Sequence, residues 1–149
     1  MSDKSQISQE LPDELAEKIL RIFPDFGIGG DAYLWDLNGV CISVEGVGGS
    51  EELARRFEKW ANRWDECMNI KTMELDTTTL AAERFDEQGL ALAAELKRVV
   101  GEQSKVVYEL ILQKGTVEVL ADGSTRNWLP GTNFDANRKW ILDKHNGRS

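Results

Sequence analysis

The sequence predicts an α+β domain with a mainly antiparallel sheet, formed by two hairpins and a meander, with helices packed on one face. Three observations predict it. Asn38-Gly39 sits between two apolar runs and Asp122-Gly123 follows one, and both dipeptides accept the positive φ values of tight hairpin turns. Two long segments, one from Ser50 and one from Leu80, carry apolar residues at helical spacing. The strands cluster at hairpins instead of alternating singly with helices, which argues against a wound parallel sheet.

The elements follow in order. Residues 1–10 are polar and read as a flexible N-terminus. Pro12 suits a first helical turn, where its missing N–H is not needed. Leu11, Leu15, Ile19, Ile22 and Phe26 keep a helical period, so one helix is predicted up to Pro24 and the glycines of 27–30. Strands are predicted at 32–36 and 40–44 around Asn38-Gly39. A Gly-rich loop follows, EGVGGSE. Ser50 is the expected N-cap of the next helix, with Glu51 and Glu52 at its positive end. Its stripe is Leu53, Phe57, Trp60, Trp64 and Cys67, and it is predicted to end near Met68. Residues 69–79 read as a connection. From Leu80 a second helix carries Phe85, Gly89, Leu92, Leu96 and Val99, with Gly101 as its stop. Gly89 either permits close packing or marks a break. KVVYELIL and TVEVLA read as strands, and Asp122-Gly123 turns into a further one, STRNWL. Asn133 is the expected cap of a last helix over 134–144, with a polar tail at 145–149. Residues 11–144 thus read as one domain.

Composition sets the function classes. An apolar fraction of 41% and a charged fraction of 30% are those of a folded globular chain. The net charge is −8, which opposes nucleic acid and anionic membranes and favours a basic protein partner. The charge is uneven: residues from Ser124 to the end hold five Lys/Arg and two Asp, a local +3, leaving −11 on the rest. Cys41 and Cys67 match no metal spacing and suit a reducing compartment. The N-terminus lacks an apolar signal core and no apolar run approaches a membrane span, so a cytoplasmic location is expected.

No residue pattern carries recognisable catalysis. The Gly-rich loop offers Gly46 and Gly48, but Glu51 stands where a dinucleotide fingerprint needs a third glycine, and no P-loop lysine is present. Glu45, Glu51 and Glu52 also repel an anion at that helix end. The single histidine, His145, lies near the end of the sequence with no nucleophile or metal-ligand partner in the pattern. No cofactor or metal is expected. Glu109 interrupts an apolar strand. It is either buried, with a raised pKa, or it faces solvent or pairs with an Arg. A pocket around Trp35, Tyr108 and Glu109 would suit a small enzyme or ligand-binding domain, and a non-catalytic subunit of a larger assembly is a third reading.

Two blocks carry a resemblance. Leu34–Trp64 runs LWDLNGVCIS, then GGSEELARRFEKWANRW, and Phe85–Lys97 reads FDEQGLALAAELK before the VVYELIL strand. Both resemble small acidic bacterial immunity proteins of contact-dependent and other polymorphic toxin systems. The resemblance implies a non-enzymatic inhibitor that neutralises a toxin by occluding its active site or functional surface. The densest acidic region lies around the connection between the two long helices. Asp65, Glu66, Glu74, Asp76, Asp86 and Glu87 are therefore the expected contacts with a basic toxin domain.

Overall fold

The computed structural model describes residues 11–24 and 32–147. The expected flexible residues 1–10, Phe26 and the glycines at 27–30 lie outside them. The chain runs α1 (Asp13–Ala16), β1 (Ile19–Ile22), β2 (Leu34–Trp35), α2 (Glu51–Glu66), β3 (Met68–Asn69), β4 (Glu74–Leu75), α3 (Thr77–Ala82), α4 (Phe85–Val100), β5 (Lys105–Glu109), β6 (Thr116–Val119), β7 (Thr125–Asn127) and α5 (Phe134–His145). The main sheet has the order β2-β1-β5-β6-β7, and β3-β4 form a separate hairpin. Three of the four pairings in the main sheet are antiparallel, so the α+β class holds. The exception is β1 with β5, which run parallel with Ile19 opposite Lys105.

The predicted first helix is corrected. Only one turn forms, and Ile19–Ile22 is instead a central strand, buried at all four positions. A strand covered on both faces reads as a continuous apolar run, which periodicity cannot separate from a helix.

Alternate residues of the strands feed two cores. Leu20, Ile22, Val106, Tyr108 and Val119 pack with α2 and α4. Ile19 and Val107 meet Leu11, Leu37, Trp128 and Ile141 in a second cluster. The two long helices therefore share one face of the sheet, and α5 lies against the other.

The Asn38-Gly39 turn forms: the Asp36 N–H donates to Val40 O at 3.0 Å and Gly39 has φ +77°. Its second arm shrinks from the predicted 40–44 to a bridge between Trp35 and Cys41. The chain then turns through a 3-10 segment, Glu45–Val47, and Ser50 Oγ accepts the Leu53 N–H at 3.0 Å. That fulfils the capping role of Ser50. Helix α2 stops at Glu66, because Met68 starts β3. The stretch 69–79, expected as a plain connection, holds most of the β3–β4 hairpin and the first turn of α3. The break between α3 and α4 falls at Arg84, with φ +58°, and not at Gly89. Val99 is 42% exposed, and Val100 takes the buried position instead. Gly101, with φ +61°, ends α4, and Asn133 caps α5 through the Ala136 N–H at 2.9 Å.

Candidate partner-binding surface

The connection between the long helices forms one corner of the molecule. Arg63, on the last turn of α2, reaches across to Glu83 after α3. Its Nε and Nη2 donate to the two Glu83 carboxylate oxygens, both at 2.7 Å, and its Nη1 donates to Glu66 at 3.0 Å. A bidentate guanidinium–carboxylate pair fixes orientation as well as charge. The Arg63 hydrogen bonds hold the Glu83 carboxyl below its usual range. Asp76 caps α3, accepting the Thr79 N–H at 3.0 Å and the Thr79 hydroxyl at 2.7 Å, and these bonds lower its pKa as well. Glu66, Asp76 and Glu83 all lie close enough to the buried Cys67 thiol to act on it electrostatically, and burial pushes that thiol up. Three carboxylates thus gather around one guanidinium.

The remaining expected contacts are distributed as follows. Asp65 is half-buried on α2, and Glu74 is exposed on β4 opposite Asn69. Glu87 is exposed on the first turn of α4, 3.7 Å from Arg84. Asp86, also an expected contact, is half-buried and accepts the Tyr108 hydroxyl at 2.7 Å, the Leu112 N–H at 2.9 Å and the Ile111 N–H at 3.1 Å. It fastens α4 to the end of β5. Burial, with the Asp86 carboxylate beside it, pushes the Tyr108 phenol upward.

Glu83 and Arg63 were not singled out from the sequence. They are 20 residues apart, so no helical spacing announces their meeting. The same holds for Arg56 and Glu95, which pair in bidentate fashion at 2.7 and 2.6 Å across α2 and α4. Both pairs line an open groove of about 900 Å³ between these helices.

The alternative pocket does not assemble. Tyr108 faces the α2–α4 core, while Glu109, the next residue of the strand, faces the other side. Trp35 stacks on Phe23 at 5.1 Å and donates its indole N–H to Phe23 O at 2.9 Å. Glu109 combines its two expected states: it pairs with an Arg, and burial raises its carboxyl. Arg21, 1% exposed, donates to it at 2.5 Å and also to Thr132 O. The Arg21 guanidinium lies 4.0 Å from the centroid of the Phe134 ring. Burial pushes Glu109 up and Arg21 down, outweighing their mutual attraction. Their arrangement is that of a structural ion pair joining β1 to β5. Among the described residues, no group of three or more His, Cys, Asp or Glu could hold a metal ion. No helix there is long and apolar enough to cross a membrane.

A family model described as Serratia CdiI immunity protein-like matches residues 20–110. That is more than half of the 149 residues, and the chain belongs to this family. The match spans both resembling blocks, the acidic corner and the two central strands. Neither the curated proteins nor the solved structures compared with the chain give a match.

Proposed function

We propose that this chain is the immunity protein of a contact-dependent growth-inhibition system, which binds a cognate toxin domain and neutralises it by occlusion. Family membership over residues 20–110 carries this reading. Occlusion needs no catalytic group, so the chain acts as a binder and not as an enzyme, in the cytoplasm it protects. The toxin face is basic. Asp65, Glu66, Glu74, Asp76 and Glu87 contact it, while Asp86 supports the corner from within. The charge layout supports this orientation. The acidic corner sits with α2 and α4, and the basic C-terminal segment holds α5 on the opposite face of the sheet. A charge distribution of that kind turns the acidic side toward a cationic partner before contact.

The test is co-expression with the toxin domain of the same inhibition system, followed by affinity measurement at about 0.1 M and 0.5 M salt. Protection and tight binding are expected. Glu66→Lys with Glu74→Lys should weaken binding and flatten its salt dependence. Unchanged affinity and salt slope in that variant would remove the acidic corner from the interface.

A further inference from the structure

The β3–β4 hairpin presents two large apolar side chains that stand largely uncovered by the described residues. Ile70 is 70% exposed and Met73 59% exposed. Apolar side chains grouped on a rigid tip are characteristic of contact surfaces. This tip is held in shape. Asn69 Oδ1 accepts the N–H groups of Lys71 and Thr72 at 2.9 and 3.1 Å, and the Met73 N–H donates to Asn69 O at 2.7 Å. Met73 adopts φ +59°, in the left-handed region that a residue with a Cβ seldom occupies. The Asp76 N–H closes the base of the hairpin on Cys67 O at 2.8 Å. The backbone is thus fixed so that an apolar pair stands outward, with the ordering of the loop already done before any encounter.

The surroundings define what it meets. Glu74 follows Met73 directly, and Glu66 and Asp76 flank the two ends of the hairpin. Lys71 is the one cation of the tip. Carboxylates at this density disfavour anionic lipid headgroups and nucleic-acid phosphates, and they suit a protein surface bearing Lys and Arg.

We propose that Ile70 and Met73 are the anchor residues of the toxin interface, inserting into an apolar pocket whose Lys/Arg rim faces Glu66, Glu74 and Asp76. This rests on the immunity reading and adds to it the residues that dominate affinity. The acidic ring governs approach and salt dependence, and the apolar pair governs the dissociation rate.

The experiment compares the full-length chain with Ile70→Ala/Met73→Ala, with Ile70→Lys alone and with Leu129→Ala. Binding to the purified toxin domain is read by surface plasmon resonance. Leu129, 92% exposed after β7, is the control for loss of any exposed apolar side chain. The double variant is expected to keep the far-UV spectrum and melting temperature, and to bind about 30-fold more weakly through faster dissociation. Leu129→Ala should bind as the parent does. Ile70→Lys, which leaves the backbone of the hairpin intact, should match or exceed the loss in the double variant. Tight parental binding that both hairpin variants retain would overturn the anchor assignment and leave the immunity reading standing. A parent that does not bind the toxin would overturn both. A parental dimer that the double variant turns into monomer, with toxin affinity unchanged, would overturn the assignment by giving the hairpin to a second copy of the chain.

Discussion

Gly89→Ala sets two well-known effects against each other, and the structure decides between them. In the middle of a helix, replacing Gly by Ala ordinarily stabilises by about 1 kcal/mol. Here the added Cβ would lie 2.4 Å from Tyr108 Oη, 2.5 Å from Tyr108 Cε2 and 2.7 Å from Trp60 Cζ2. Neither ring can yield cheaply. Tyr108 is fully buried and its hydroxyl is bonded to Asp86. Trp60 stacks on Phe85 at 4.7 Å and donates its indole N–H to Phe85 O at 3.1 Å. Overfilling such a site costs about 1–3 kcal/mol. Displacing the phenol from a carboxylate adds about 1.5–3 kcal/mol. After the helical gain is subtracted, the net loss is about 1.5–5 kcal/mol. For a domain of this size that lowers the melting temperature by roughly 3–20 °C. Thermal and urea unfolding followed by circular dichroism measure it. Gly89→Ala/Tyr108→Phe, which removes the nearest clashing atom, should recover part of the loss. A melting temperature equal to or above that of the parent would refute the argument, because propensity would then have outweighed packing.

Glu109→Ala leaves the Arg21 guanidinium buried without its carboxylate and should cost about 3–5 kcal/mol, whereas Arg21→Met/Glu109→Leu should lie close to the parent in urea midpoint. Glu118, 4% exposed, accepts hydrogen bonds from Lys105 at 3.2 Å and Arg126 at 2.9 Å. Burial raises its carboxyl, but the two cations outweigh that and hold it below the usual range. Its stabilising contribution is therefore present above the unfolded carboxylate pKa of about 4.3 and is lost as pH falls through the lower folded value. The stability difference between the parent and Glu118→Gln, read from urea midpoints between pH 6 and pH 3, should shrink toward the acid end. A constant difference would show that the pair contributes no pH-dependent stability.

Local chemistry made much of the fold legible. Ser50 and Asn133 cap the helices they precede, and Asn38-Gly39 and Asp122-Gly123 turn where their backbone preferences place them. These features are fixed by neighbouring residues, so they are written locally. The central strand was not legible for the opposite reason. Ile19–Ile22 becomes a strand only because β5 and β2 flank it. Its Arg21 resembles a solvated helix position until Glu109, 88 residues away, is placed beside it. The acidic corner was legible as a density of carboxylates. Its internal division was not. The sequence does not distinguish Asp86, which is consumed by Tyr108 and two backbone amides, from Glu87 beside it. Nor does a stretch that reads as a plain connection disclose that Asn69 folds it into a hairpin tip bearing Ile70 and Met73.

The parallel pairing of β1 with β5 also constrains the order of events during synthesis. Strand β1 emerges from the ribosome early with β2 soon after it, and the strand that pairs with its other edge follows about 85 residues later. At roughly 5–20 residues per second, the β5-facing edge of β1 waits on the order of 4–17 s unpaired. The acidic corner and its hairpin lie wholly between these two strands, so they are set into a closed sheet only after that wait. A cell making this protein on demand obtains the finished fold with a lag set by translation, and a standing pool made in advance removes that lag.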